Sequence, residues 1–190
     1  MATVIPFEER AVAHLRQRLG AVEEANQDLI AFARGHSGAV ASIHEAVIAS
    51  LEADSIESLF HVVTQEWPLI LGIDAVALSL VVGEQGFRAD GGGVQHVDPA
   101  LLKRAIDRVE GVEMHAVERG HPLFGPACDL IRAEALIRID CEPPLPVGLL
   151  ALGQRADLSL DARHGSELLM FLGRSLAAMI RKWLVNPQQA

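Results

Sequence analysis

The sequence predicts an α+β domain in which an antiparallel sheet is flanked by helices and preceded by a long helical N-terminal segment. Three observations lead to this prediction. Apolar, β-branched runs occur in pairs joined by short turns, which is typical of antiparallel hairpins. Helical apolar periodicity occupies both ends of the chain. Half of the 190 residues are hydrophobic and 22% are charged, a balance that is typical of chains with a packed core.

The first element is a long helix from residue 7 to about residue 32, because this stretch is free of Pro and rich in Ala, Leu, Gln, Glu and Arg. Its apolar positions alternate steps of three and four, as in a short coiled coil with Asn26 at an a position. The positions of this seam are Val12, Leu15, Leu19, Val22, Asn26 and Leu29. We expect a homodimer through this seam; the alternative is an amphipathic helix that lies on its own domain.

Two further helices are expected before the sheet. Residues 35–38 (GHSG) form a weak point, after which Ile43, Val47 and Leu51 resume a helical face. Asp54 or Ser55 can cap a third helix, which is expected to end close to Pro68. Its apolar face consists of Ile56, Leu59, Phe60, Val63 and Trp67.

The first hairpin follows directly. Residues 73–82 (IDAVALSLVV) are apolar and β-branched, and the turn at 83–86 leads into a second strand at 87–89, which the glycines at 91–93 end. After a short stretch at 94–97, Asp98 and Pro99 predict a helix to about residue 110, because Asp is a good N-cap and Pro suits the first turn. Residues 112–117 are expected to form another strand.

The C-terminal half contains a second hairpin and a closing helix. A loop is expected at 118–125 and a short helix at 127–132, followed by strands at 133–140 and 147–153 on either side of a Pro-rich turn. A helix at 162–184 carries an apolar stripe, and the helices are expected on one side of the sheet. This order predicts a helical dimerisation segment at 1–52, a folded domain at 53–185 and a frayed tail at 186–190.

Charge and composition exclude several classes of function. Sixteen Lys and Arg against 25 Asp and Glu give a net charge of -9, and aromatic residues make up only 4%, so nucleic acid is not an expected partner. The N-terminus lacks the basic and apolar regions of a signal peptide, and no apolar run approaches about 18 residues. We therefore expect a cytoplasmic protein that does not contact a membrane.

A family resemblance is carried by three segments near the C-terminus: GLLALGQR at 148–155, HGS at 164–166 and FLGRSL at 171–176. With the N-terminal helix and the strand IDAVALSLV, they make the chain similar to the bacterial domain of unknown function 484 family. The sequence departs from the family pattern at Leu160, Asp161 and residues 136–139. The resemblance implies a GAF-like domain behind helices, with no established activity or cofactor.

The same resemblance implies a ligand pocket between one face of the sheet and the helices of the central crossover. It maps there to Phe87, Met114, His115, Phe124 and Cys128; the alternative is that these residues pack a filled core. We expect a non-enzymatic module that senses a small molecule or dimerises. The alternatives are a GAF-fold thiol enzyme that uses Cys128 and Cys141, or an adaptor without a ligand.

No other motif indicates catalysis or metal binding. His44 and Glu45 lack the second His of a zincin helix, and the cysteines form no CxxC pair. The glycines at 91–93 lack the spacing of a phosphate-binding loop. We therefore assign no catalytic residue and no metal ligand.

Overall fold

A computed structural model describes residues 37–141, 145–156 and 162–185, together with six single positions between 18 and 35; for 162–164 it describes the backbone alone. The chain forms two compact units, Met1–Ala41 and Ser42–Ala190. In the first unit every described residue is helical, including Gly35 and Gly38. The predicted weak point at 35–38 therefore contains helical residues. Of the predicted coiled-coil seam, only Val22 is described; Val12, Leu15, Leu19, Asn26 and Leu29 lie outside the described residues.

The second unit contains a six-stranded sheet in which all adjacent strands are antiparallel. The strands are β1 (Ala75–Val82), β2 (Gln85–Asp90), β3 (Gly93–Val97), β4 (Val112–Ala116), β5 (Ala133–Asp140) and β6 (Val147–Gln154). Their order across the sheet is β3-β2-β1-β6-β5-β4. The predicted antiparallel α+β architecture is confirmed. The turn between β1 and β2 is shorter than the expected turn at 83–86, because β2 already begins at Gln85, which pairs with Val82.

The helices of this unit are α1 (residues 42–51), α2 (Ile56–His61), α3 (Trp67–Leu71), α4 (Pro99–Ile106) and α5 (Ala162–Val185). A π-helical segment, Val62–Glu66, joins α2 to α3, and a 3-10 segment, Pro122–Leu130, lies between β4 and β5. In the described part of the chain, no helix combines the length and apolarity that a membrane span requires.

Two core clusters occupy opposite faces of the sheet. On the packed face, side chains of β1, β5 and β6 meet α1, α2, the π-helical segment and α5. On the α4 face, the alternate side chains of the same strands meet α4 and the 3-10 segment. The expectation of helices on one side was wrong. The second face of the central strands is also apolar, and it is covered by α4, between β3 and β4, and by the 3-10 segment, between β4 and β5.

The helices before β1 are held together by a buried Trp. Trp67 is fully buried, and its indole N–H donates to the Ala46 carbonyl at 3.1 Å and to Ser50 Oγ at 3.0 Å. These bonds attach α1 to α3. Ser55 caps α2 as predicted. Pro68 does not end this helix. The preceding turn is π-helical, with Trp67 N–H bonded to Val62 O, so Pro68 lies in the first turn of α3, where its missing N–H is not needed.

The connections from β3 to β4 and from β4 to β5 each differ from expectation at one place. Asp98 caps α4 through a 2.8 Å bond from Ala100 N–H, but the helix ends at Ile106 rather than near residue 110. The expected loop at 118–125 and helix at 127–132 are replaced by the 3-10 segment, which has a kink at Gly125. Pro126, inside the segment, lacks the N–H group that a continuous helix would use, and the backbone of Gly125 before it is not helical. Residues 94–97 belong to the edge strand β3.

The closing helix α5 lies against the packed face. Leu172, Leu176 and Ile180 are fully buried there. A Cβ at Gly173 would lie 2.5 Å from Ile137 Cγ2, so only Gly permits this approach of α5 to β5. The predicted apolar stripe of the closing helix is therefore core.

Candidate functional site

A long cavity lies on the α4 face, between α4 and the 3-10 segment, and is called the slot below. Its volume is about 670 Å³, within the range of small-molecule sites. It extends from Arg88 on β2 to Glu113 on β4, and these strands are four strand spacings apart, or roughly 19 Å. The slot is therefore long enough for an extended ligand.

The register of the sheet explains why charged residues reach the slot. Arg88 lies opposite Ser79, Glu113 opposite Leu136, and His115 opposite Glu134. Since directly opposed residues point to the same face, the α4 face carries polar side chains among its apolar ones. On the other side of the slot, α4 contributes Leu101, Arg104 and Ala105, and the turn after α4 contributes Arg108. The slot thus combines apolar walls with several charges.

At the β2 end, Arg88 and Asp90 form a largely buried ion pair. Their side chains are only 14% and 11% exposed, and Arg88 Nη2 lies 3.0 Å from Asp90 Oδ2. This contact lacks hydrogen-bond geometry, and Arg88 Nε and Asp90 Oδ2 have no hydrogen-bond partner in the described part of the chain. Arg88 Nη2 donates to Gln95 Oε1 at 2.8 Å, and Asp90 Oδ1 accepts from Gly92 N–H at 2.8 Å.

The kink of the 3-10 segment fits over this ion pair. Gly125 has φ +56°, a left-handed conformation that disfavours other residues. A Cβ at this position would lie 3.0 Å from Arg88 Nη2 and 3.2 Å from Asp90 Oδ2. The glycine therefore lets the backbone cover Arg88 and Asp90 closely.

At the other end, Glu134 and His121 join β5 to the start of the 3-10 segment. The buried Glu134 accepts a 2.6 Å bond from His121 N–H, and His121 Nδ1 accepts from Leu123 N–H at 3.2 Å. This use of Nδ1 as an acceptor requires the neutral imidazole. Burial lowers the pKa of His121; the Glu134 carboxylate opposes this shift, and the Arg108 guanidinium adds to it. His121 therefore acts as a neutral cap.

The five candidate pocket residues lie in different places. His115 lines the slot, with Nε2 3.2 Å from Glu113 Oε2. Phe87 and Met114 lie opposite Leu80 and Ala135, so they belong to the packed face; Phe87 contacts His96, with ring centroids 4.8 Å apart. Phe124 and Cys128 belong to the core under the 3-10 segment, where Phe124 also lines a smaller cavity of about 300 Å³. The structure therefore brings only His115 of the five to the slot.

Sequence reasoning missed Arg88, Asp90, Glu134, Arg104 on α4 and Arg108 in the turn after it. The signal in the sequence was the position of charged residues within apolar strands. Arg88 and Asp90 alternate with Phe87 and Ala89, and Glu134 interrupts an otherwise apolar run. Only the strand register shows which face of the sheet each set of alternate residues occupies.

The two cysteines lie in different cores. Cys128 belongs to the α4-face cluster, where Arg119 Nη2 lies 3.6 Å from its sulfur. Cys141 belongs to the packed-face cluster, and its thiol is 3.5 Å from Ala177 O. Burial raises the pKa of Cys141 to about 11. The sheet therefore separates the two thiols.

Metal-ligating side chains do not cluster in the described residues. Across the parts of the chain that the structure covers, no group of three or more His, Cys, Asp or Glu could hold a metal ion.

Comparisons with known proteins identify the fold and the family. The GAF domain of a phosphoenolpyruvate-protein phosphotransferase from Coxiella burnetii superposes with a TM-score of 0.57 at 15% identity, over 80% of this chain and 98% of that one. A free methionine-R-sulfoxide reductase from Neisseria meningitidis, solved with its substrate, superposes with a TM-score of 0.54 at 14% identity, over 75% of this chain and 89% of that one. At these identities the likeness shows a GAF-like fold.

No curated protein matches the chain in sequence. A family model does, over residues 1–185, and its description is a protein of unknown function, DUF484. The resemblance seen in the C-terminal segments is thereby confirmed, and the chain belongs to the DUF484 family.

Proposed function

We propose that this chain is a non-enzymatic sensing module that binds a small molecule in the slot. The observation that carries the proposal is the slot itself, which has about 670 Å³ of space with apolar walls and a few charged groups. Small-molecule sites combine these features, because apolar burial provides affinity and a few polar groups fix orientation. The GAF-like fold supports the proposal as an analogy alone.

A binding role accounts for the charged groups better than a catalytic one. Glu113 contacts His115, and Glu134 bonds the backbone of His121, so both carboxylates have partners in the wall of the slot. His121 Nδ1 is occupied as a cap and is not available as a general base. These groups orient a ligand without activating it.

The experiment that tests this function is native mass spectrometry of the full chain, compared with an Ala105→Trp variant. Ala105 faces the slot from α4, so the indole would fill it, whereas Ala100→Trp on the exposed side of the same helix is a matched control. We expect a co-purified molecule on the wild type and on Ala100→Trp but not on Ala105→Trp. A wild type that carries no molecule would favour the adaptor without a ligand.

Thiol chemistry at Cys128 is the second candidate, favoured by one contact. Arg119 lies 3.6 Å from the Cys128 sulfur, and a neighbouring cation stabilises a thiolate. Cys141 cannot serve as its resolving partner without rearrangement, since the sheet separates the two thiols. A reductase activity that is lost in Cys128→Ser and retained in Cys141→Ser would establish this alternative.

We further propose that the N-terminal helical segment joins two copies of the chain in the cytoplasm. The support is the seam from Val12 to Leu29, with Asn26 at an a position. Light scattering should give twice the protomer mass of 20.4 kDa. Asn26→Leu should keep or raise stability but relax the register or oligomeric state. A wild-type monomer would contradict the dimer, and an unchanged dimer in Asn26→Leu would place Asn26 outside the seam.

A further inference from the structure

We propose that the ligand of the slot carries a carboxylate or phosphate group and that Arg88 is the residue that binds it. This proposal rests on the function proposed above and specifies the chemistry of its ligand. It follows from the state of the Arg88 side chain, from the charges around the slot and from the position of Asp90.

Arg88 is largely buried, charged and incompletely hydrogen-bonded. A guanidinium has five N–H donors, and buried polar groups in proteins are nearly always satisfied. Here Nη2 donates to Gln95, while Nε is buried without a hydrogen-bond acceptor in the described part of the chain. Arg88 also lines the slot, and its Nη1 group has no hydrogen-bond partner among the described residues, so an oxyanion in the slot could accept from the guanidinium there.

The charges around the slot favour an anion. Three arginines and two glutamates line it, in a chain whose net charge is -9. Both glutamates already have partners in the wall, whereas Arg108 has no hydrogen-bond or ion-pair partner among the described residues. With Asp90 beside Arg88, the arginines and carboxylates around the slot balance in number, and the Arg108 guanidinium is the cation left to attract a small anion.

Asp90 is the internal counter-ion that makes the proposal testable. Its carboxylate lies 3.0 Å from Arg88 Nη2 but is not aligned for a hydrogen bond with it. The Asp90 carboxylate therefore neutralises the charge of Arg88 but accepts no hydrogen bond from the N–H groups of the guanidinium. A ligand anion would gain the hydrogen bonds of Arg88 and would be repelled by Asp90.

This arrangement predicts opposite effects from the two partners of one ion pair. Arg88→Gln should weaken the binding of an oxyanion by about tenfold to a hundredfold, because a charged hydrogen-bond donor is lost. Asp90→Asn should strengthen it by about threefold or more, because a negative charge beside the site is removed while the Oδ1 acceptor for Gly92 N–H is kept. If the ion pair only stabilised the fold, both substitutions would change the affinity for the oxyanion in the same direction.

The experiment measures the binding of succinate and of inorganic phosphate to the full chain by calorimetry, at millimolar probe concentration and constant ionic strength. Succinamide and trimethyl phosphate are the neutral counterparts. Lys103→Gln is the matched control for Arg88→Gln, since it removes a cation from α4 that does not line the slot. Glu84→Gln in the exposed turn is the control for Asp90→Asn.

We expect at least one anionic probe to bind, its neutral counterpart not to bind, and affinity to fall in Arg88→Gln and rise in Asp90→Asn, with both controls at the wild-type value. The assignment is overturned if neither anion binds, if Arg88→Gln binds as tightly as wild type, or if both variants bind more weakly. A neutral or cationic molecule carried by the wild type and lost in Ala105→Trp would leave the sensing function standing and overturn the role of Arg88.

Discussion

The two faces of the sheet are built from the same strands but carry different classes of side chain. On the packed face, Leu78, Ile137 and Leu150 are completely covered by helices, and the cluster around them is apolar. On the α4 face, the alternate positions include Ser79, Arg88 and Glu134, and the cover leaves a slot of about 670 Å³. The helices α1 and α5 cover one face, whereas α4 and a kinked 3-10 segment cover the other.

This difference separates stability from function within one sheet. Apolar burial stabilises a fold in proportion to the area removed from water, so the packed face, which has the larger apolar cluster, provides the larger share of the folding free energy. Buried charge and unfilled space cost stability, and proteins retain them mostly at functional sites. The comparison therefore predicts large losses of stability from changes on the packed face, and changes in binding with smaller losses from the α4 face.

The largest effect is expected from removing the C-terminal part of α5. A chain that ends before Phe171 loses Leu172, Leu176 and Ile180, and each fully buried side chain of this size contributes roughly 1.5–3 kcal/mol against a total stability of about 5–15 kcal/mol. The truncated chain should be insoluble or molten by circular dichroism, whereas a control that ends at Val185 keeps all of α5. A cooperative melt within a few degrees of the control would show that α5 is peripheral.

A sharper test compares two neighbouring residues on β5 that point to opposite faces. Ile137 is buried against α5, and Leu136 lines the slot. Ile137→Ala should lower the free energy of unfolding by about 4 kcal/mol, and Leu136→Ala by about 2 kcal/mol, because the space beside Leu136 is already open. Urea denaturation measures both values. Equal losses would mean that the slot is packed as tightly as the core.

The sequence predicted the packed face much better than the α4 face. Apolar periodicity located α5 and the central strands. The apolar residues of a buried face recur at regular spacing, and one exception does not hide that spacing. The candidates Phe87 and Met114 were placed by family resemblance, and the register turns both away from the slot. Arg88 and Glu134 could not be selected beforehand, because a charged residue in a strand indicates a solvent-facing position as readily as a buried site.

A pair of glycines tests whether the faces differ in function as well as in packing. Gly173→Ala would press on Ile137, and Gly125→Ala would combine a strained φ with close contacts to Arg88 and Asp90. Both should destabilise the protein by roughly 1–3 kcal/mol. Only Gly125→Ala should also change anion affinity, measured by calorimetry with succinate or phosphate. An equal change of affinity in Gly173→Ala would show that the two faces are coupled.

The smallest expected effect concerns the two thiols, one on each face. Burial raises the pKa of Cys141 from 9.0 to about 11, so this thiol stays protonated in the folded protein at a pH where it would ionise in the unfolded chain. The folded state then binds more protons, and this contribution to stability, present below pH 9.0, is lost as pH rises towards 11. Labelling by a thiol reagent at pH 8 should therefore be slower at Cys141 than at Cys128, which belongs to the core cluster of the other face. Cys128→Ser and Cys141→Ser chains report the two rates separately, and denaturation in urea should make the rates similar. Equal rates in the folded protein would mean that the packed face opens as readily as the α4 face, which would contradict the division of the sheet into a stable face and a binding face.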